Sequence, residues 1–137
     1  MSRPIVIDSS VALKWFRRDE EHGVPEADSL LLDHRAGVVR LACPTHLRLE
    51  ALNALRMHSA DGDQLERVAR SLESIDLFWV QVDEALSISA ARLAADHGLT
   101  IYDATFVAAA LMLDAELVTD DKAILRSGAC RMRALTG

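Results

Sequence analysis

The sequence predicts an α/β fold, a mostly parallel central sheet flanked by helices in three layers. Two observations predict it: short β-branched or apolar runs alternate along the chain with longer stretches of helical period, and several of those runs end at an acid or at Pro. At 137 residues the chain fits one domain, 1–137, and a chain of that size buries roughly two thirds of the surface it exposes when unfolded. No repeat, low-complexity tract or linker divides it.

Pro4 to Ile7 reads as the first strand, ending at Asp8, and Ser9 to Phe16 carries apolar residues at helical spacing. Arg17 to Gly23 reads as a charged loop. Pro25, tolerated best in a first turn, opens a second helix that Gly37 closes. Val38 to Cys43 is a second strand, and a long helix follows from Pro44-Thr45 to about His58. Asp61-Gly62-Asp63 is a turn, Gln64 to Ile75 an amphipathic helix, and Leu77 to Val82 a strand. Asp83 to His97 is a helix begun by acids and stopped by Gly98. A helix from Tyr102 to about Leu113, a strand from Glu116 to Thr119, a short helix from Asp121 to Arg126 and a last strand from Cys130 to Ala134 complete the chain.

Composition narrows the function classes. Half the residues are hydrophobic, yet no apolar run reaches the roughly 18 residues needed to cross a bilayer, and the first residues lack a signal-peptide pattern, so a cytoplasmic protein without a membrane partner is expected. Cys43 and Cys130 lie far apart, outside any CxxC or Cys/His pair, which leaves zinc and thiol redox chemistry unsupported. A net charge of −6 argues against coating nucleic acid by bulk electrostatics, so any such contact is local or metal-mediated.

The acids carry the chemistry. In open α/β sheets the ligand crevice lies beyond the carboxyl ends of the strands, where Asp8 and Asp121 fall. Asp103 begins a helix, and Glu50 lies inside one, on a face shared with Asn53, which can orient it or bond a water. Two carboxylates about 5 Å apart repel by roughly 3 kcal/mol at an effective dielectric near 20, so gathering four requires a cation. An all-oxygen shell suits Mg²⁺ or Mn²⁺, and a metal-activated water then hydrolyses a phosphodiester. The plainer reading is that Asp8, Asp103 and Asp121 cap or open helices, and that Glu50 and Asn53 are solvated. Capping explains no interior Glu50, and it is the joint pattern that favours a metal-dependent hydrolase.

With those residues in place, the chain resembles the PIN-domain family, and most closely the VapC toxins of type II toxin-antitoxin pairs. VIDSSVALKWF resembles the first motif, with Asp8 and its small polar partner Ser10. PTHLRLEALNAL resembles the second, with Glu50 and Asn53, and LTIYDATFVAAA the third, with Asp103. LVTDDKAI resembles the fourth, where Thr-x-Asp spacing selects Thr119 and Asp121 and leaves the neighbouring Asp120 a supporting or exposed acid. The resemblance covers nearly the whole chain. It implies an Mg²⁺- or Mn²⁺-dependent endoribonuclease with Asp8, Glu50, Asp103 and Asp121 catalytic and Asp8, Asp103 and Asp121 on the metal. It also implies a homodimer, neutralised by a VapB-like antitoxin whose C-terminal segment lies across the site.

Lys14, Arg17 and Lys122 follow the first and last motifs and are candidates to hold RNA phosphates, though a solvated helix face is the plainer reading. The five histidines show no paired ligand spacing, and Trp15 and Trp79 read as core anchors rather than base-stacking platforms. Two rivals stand beside the nuclease. An aspartyl-phosphate phosphatase would use Asp8 as nucleophile, but Ser10 stands where a second Asp belongs. A catalytically silent interaction module has no reason to keep four acids. The helix from Gln64 to Ile75 is a candidate dimer contact.

Overall fold

A computed structural model describes residues 2–18 and 22–137, so the charged loop expected from Arg17 to Gly23 falls in part on residues 19–21, outside the described residues. Five strands form one sheet in the order β3-β2-β1-β4-β5. They are β1 (Arg3–Ile7), β2 (Val39–Pro44), β3 (Phe78–Val80), β4 (Glu116–Thr119) and β5 (Met132–Ala134), and every neighbouring pair is parallel. Ile5, Val6 and Ile7 are wholly buried, as a central strand covered on both faces requires. The chain moves outward from β1 through β2 to β3, then returns to lay β4 on the other side of β1. That reversal makes the carboxyl ends of β1 and β4 the switch point of the sheet, where a crevice opens between diverging connections.

The helices are α1 (Ser9–Ala12), which tightens into a 3₁₀ turn at Leu13–Trp15, α2 (Val24–Arg35), α3 (Leu47–Met57), α4 (Gly62–Ser74), α5 (Glu84–His97), α6 (Ile101–Leu113) and α7 (Lys122–Ser127). Right-handed crossovers put α2, α3 and α4 on one face and α5 and α6 on the other, because the chain crosses the sheet in opposite directions before and after β3. α6 packs on β1, β2 and β4 and is covered by α5, which explains why its whole stretch from Ala104 to Ala110 is buried. The small Ala side chains let helix and sheet approach closely on more than one side.

Several boundaries differ from the sequence expectation: α4 begins at Gly62, inside the expected turn, β5 begins at Met132 instead of Cys130, and two more meet at Pro44. Pro44 ends β2 instead of opening α3, and it is the last residue in register with β3, opposite Val80. Proline has no N–H to extend the ladder, so β3 stops at Val80, short of Val82, and α3 starts at Leu47. At Gly23, φ is +86°, and an added Cβ would fall 2.6 Å from Thr136 Cγ2 and 3.0 Å from Lys14 Cε. Only glycine fits there, where α2 begins beneath the C-terminal residues.

Trp15 and His34 are core struts. The Trp15 indole N–H donates to the Ala27 carbonyl at 3.0 Å, tying the first turn after β1 to α2. His34 Nδ1 accepts from the Leu41 amide at 3.0 Å, so its Nε2–H donates to the Ile75 carbonyl at 3.0 Å. Trp79 carries the Arg48 guanidinium 3.8 Å above its ring, with Arg48 held in turn by two bonds to Glu73. α4 presents polar residues outward, including Asp63, Glu66, Arg67 and Arg70, while Leu72 is buried. Its exposed face therefore lacks the apolar surface expected of a dimer contact. No helix among the described residues is long and apolar enough to cross a membrane.

Candidate active site

Asp8 follows β1 directly and is only 3% exposed. Ser10 Oγ donates to its Oδ1 and Thr119 Oγ1 to its Oδ2, both at 2.6 Å. Each hydroxyl is itself fixed by a backbone amide, Asp120 N to Ser10 Oγ at 3.0 Å and Asp121 N to Thr119 Oγ1 at 2.9 Å. With their acceptor sides occupied, both hydroxyl protons are aimed at Asp8. The loop after β4 thus clamps the acid after β1 at the switch point. Burial nevertheless raises the Asp8 carboxyl to about 6, against the pull of both hydroxyls, and the charge of Asp121 adds to the rise.

Asp103, in the first turn of α6 and half-buried, is also raised to about 6, by burial first and then by the charges of Asp121 and Glu50. Glu50, on α3, accepts from Ser9 Oγ at 2.7 Å through Oε1. These mutual fields place Asp8, Glu50, Asp103 and Asp121 in one electrostatic neighbourhood, drawn from four separate elements. Among the described residues, however, no three His, Cys, Asp or Glu stand close enough together to form a ready-made metal shell. The donor set, all carboxylate oxygen, has the chemistry that Mg²⁺ or Mn²⁺ requires, and the raised Asp8 and Asp103 carry the repulsion that a cation relieves. In donor chemistry the residues fit the ion; closing a shell takes side-chain movement.

The capping explanation divides the acids. Asp121 does cap α7, its Oδ1 accepting from Ile124 N at 3.0 Å. Asp8 stands at the N-cap of α1 without making a side-chain cap bond, and the cap of α6 is Thr100, whose Oγ1 accepts from the Asp103 amide at 3.0 Å. A side-chain cap therefore accounts for Asp121, a first-turn position for Asp103, and neither explains the buried Asp8. The doubled acid divides as well: Asp120 lies 3.4 Å from Lys14 Nζ and accepts from Thr136 at 3.3 Å, while Asp121 raises both Asp8 and Asp103.

Lys14 is 4% exposed, its ammonium engaged by Asp120 and, at 3.0 Å, by the Ser10 carbonyl. This corrects its reading as a phosphate contact, because an RNA backbone cannot reach a buried ammonium. It braces the Ser10 turn and the Asp120 loop together. Replacing Lys14 by Met is expected to cost roughly 2–3 kcal/mol in urea unfolding, somewhat below the loss for a fully buried pair because about a fifth of Asp120 is open to solvent. An unchanged midpoint would show that the pair contributes nothing. Lys122 is exposed on α7, and Arg17 is half-buried at the rim of a cleft of about 590 Å³ that also holds Phe16, Arg18, Leu55, His58, Arg67 and Val68. None of the four acids lines that cleft. Asn53 is exposed, one turn beyond Glu50. Two neighbours of the acids were not legible as such, Ser9 on Glu50 and His46, whose Nε2 is 3.8 Å from Glu50 Oε1. The four-residue spacing of His46, just before α3, and Glu50 on it was the available signal.

The class is thus a parallel α/β domain with carboxylates from four elements near its switch point. Within that class, the family model for the PIN domain matches residues 5–128, and the chain belongs to the PIN-domain family. Solved structures share the fold. PAE2754 from Pyrobaculum aerophilum superposes with a TM-score of 0.72 at 20% identity, over 98% of this chain and 85% of that one. A toxin-antitoxin complex from Klebsiella pneumoniae gives 0.70 at 16% identity, over 96% and 97%. VapC20 of Mycobacterium tuberculosis, described as a Sarcin-Ricin loop cleaving toxin, gives 0.70 at 16%, over 90% and 95%. Among curated proteins, none matches the sequence.

Proposed function

We propose that this protein is a divalent-metal-dependent endoribonuclease, the toxin of a toxin-antitoxin pair. The observation that carries the reading is the buried Asp8, clamped at the switch point and raised together with Asp103 by burial and by neighbouring acids. A fold keeps such repulsion where a ligand relieves it. Structural neighbours that include a toxin-antitoxin complex and a Sarcin-Ricin loop cleaving toxin support the choice of substrate and partner.

Asp8, Asp103 and Asp121 would hold Mg²⁺ or Mn²⁺, which when bound offsets the phosphate charge and acidifies water. The chain's own residues do the positioning. Ser10 and Thr119 fix both Asp8 oxygens, so this carboxylate points one way whether or not an ion is present. Ser9 occupies Glu50 Oε1, which leaves Oε2 to accept a proton from an attacking water. The same clamp disfavours an aspartyl-phosphate mechanism, since a 3%-exposed Asp8 with both oxygens engaged is a poor nucleophile. A VapB-like antitoxin is part of this reading, supported by the toxin-antitoxin complex among the structural neighbours. Homodimerisation belongs to the same reading, and the exposed Leu49, Ile101 and Tyr102, next in sequence to the acids, supply apolar area that α4 lacks.

The test is cleavage by the purified protein freed of any partner. RNA is expected to be cut internally with Mg²⁺ or Mn²⁺ present and left intact in excess chelator. Cleavage undiminished by chelator would overturn the mechanism.

A further inference from the structure

We propose that His46 is a positioning residue of the acidic site, its Nε2–H latching the first turn of α6 to α3 and so setting the separation of Asp103 from Glu50. His46 directly precedes α3, and its Nε2 lies 3.1 Å from the Tyr102 carbonyl and 3.8 Å from Glu50 Oε1. Tyr102 is the residue before Asp103. One ring nitrogen therefore bonds the backbone that carries one acid and lies near the side chain of another.

The tautomer follows from the surroundings. Nε2 faces two acceptors, the Tyr102 carbonyl and the Glu50 carboxylate, so a lone pair there would be repelled and a proton is required. Nδ1 is buried and has no hydrogen-bond partner, so a second proton there would be a stranded donor. The ring is thus neutral, protonated at Nε2, and burial holds its pKa below the ordinary histidine value, opposed by Glu50 and by the Tyr102 carbonyl. Phe106, on the next turn of α6, packs 4.5 Å from the ring, centroid to centroid, and fixes its plane. Glu50 is held by Ser9 of α1 and rides on the helix that His46 opens, while the imidazole of His46 anchors the α6 turn. Loss of an outer partner that orients a metal-binding group commonly costs about 10–100-fold in affinity.

The consequence for metal rests on the nuclease reading, so the experiment has an arm that does not. In metal-free protein, ¹H–¹⁵N NMR of the imidazole is expected to show the Nε2–H tautomer; an Nδ1–H or doubly protonated ring at pH 7 overturns the latch. In Mn²⁺ titrations, read by thermal shift and by cleavage rate, His46→Phe keeps the packing on Phe106 and loses the N–H. It is expected to need about ten-fold more Mn²⁺ for half saturation while reaching nearly the same saturated rate. His46→Gln, whose side-chain amide can donate to Tyr102, is expected to recover most of the affinity. Equal Mn²⁺ dependence in wild type and His46→Phe overturns the proposal, as does a failure of Gln to outperform Phe. A wild type with the Nε2–H tautomer that does not respond to Mn²⁺ at all overturns the metal reading and leaves the latch standing.

Discussion

Asp103→Asn is expected to lower RNA cleavage by on the order of a thousandfold or more while leaving a folded protein that melts no lower than wild type. Stabilisation of charge by a bound ion contributes several kcal/mol to a phosphoryl-transfer transition state, and each 1.36 kcal/mol is a factor of ten in rate. Asn keeps the shape and one carbonyl oxygen but cannot bring a negative charge to the cation. Its cost to the fold is small because Asp103 is half-buried at the first turn of α6, the cap is made by Thr100, and its charge is opposed by those of Asp121 and Glu50. Losing the charge removes that repulsion. Single-turnover cleavage at saturating Mg²⁺, beside circular dichroism and a melting curve, separates the two effects. Cleavage within tenfold of wild type would remove Asp103 from the mechanism, and a collapsed melting curve would make it a structural residue.

How much of this was legible in sequence depends on how far each residue's role reaches along the chain. β1 and β4 were readable because their burial on both faces demands unbroken apolar runs, and an acid stops each one. Asp8 and the Asp120-Asp121 pair could be placed from that alone. β3 and α3 were misjudged at one residue, Pro44, because whether a proline ends a strand or starts a helix depends on the strand beside it. The side-chain network was the least legible. Ser9 meets Glu50 across 41 residues, and the Ser10 hydroxyl takes the amide of Asp120 across 110. Nothing near Lys14 in sequence shows that its ammonium is enclosed, since Asp120 and the C-terminal residues that enclose it arrive from the far end of the chain. A charge after a motif looks like a surface contact until the fold covers it. The choice between Asp120 and Asp121 has the same origin, as spacing favours one but only Lys14 shows where the other turns.

Asp8→Asn is expected to stabilise the metal-free protein above pH 6 and to abolish its response to metal. The sign follows from the raised carboxyl. In the unfolded chain Asp8 releases its proton near the ordinary value of 3.8, whereas in the fold it keeps the proton until about pH 6. Between those values the folded state binds more protons, so the metal-free protein loses stability as pH rises from about 4 to about 6, and the loss is complete above that range. A shift of about two pH units in a group this buried amounts to roughly 3 kcal/mol. Asp103 acts in the same direction but more weakly, because its exposed side is screened by solvent. Asn at position 8 carries no charge to desolvate, and its carbonyl oxygen can still accept from one of the two hydroxyls, while its NH₂ group faces the other and offsets part of the gain, so Tm at pH 8 is expected to rise by about 2–5 °C. Metal reverses the slope in the wild type, because the ion displaces the same protons and binds more tightly as pH climbs through about 6. Melting curves of both proteins from pH 4 to 8, with and without Mn²⁺, test the whole chain of reasoning. A flat metal-free profile in the wild type, or an Asp8→Asn protein that still gains stability from Mn²⁺, would show that the buried acid after β1 is not held for a cation.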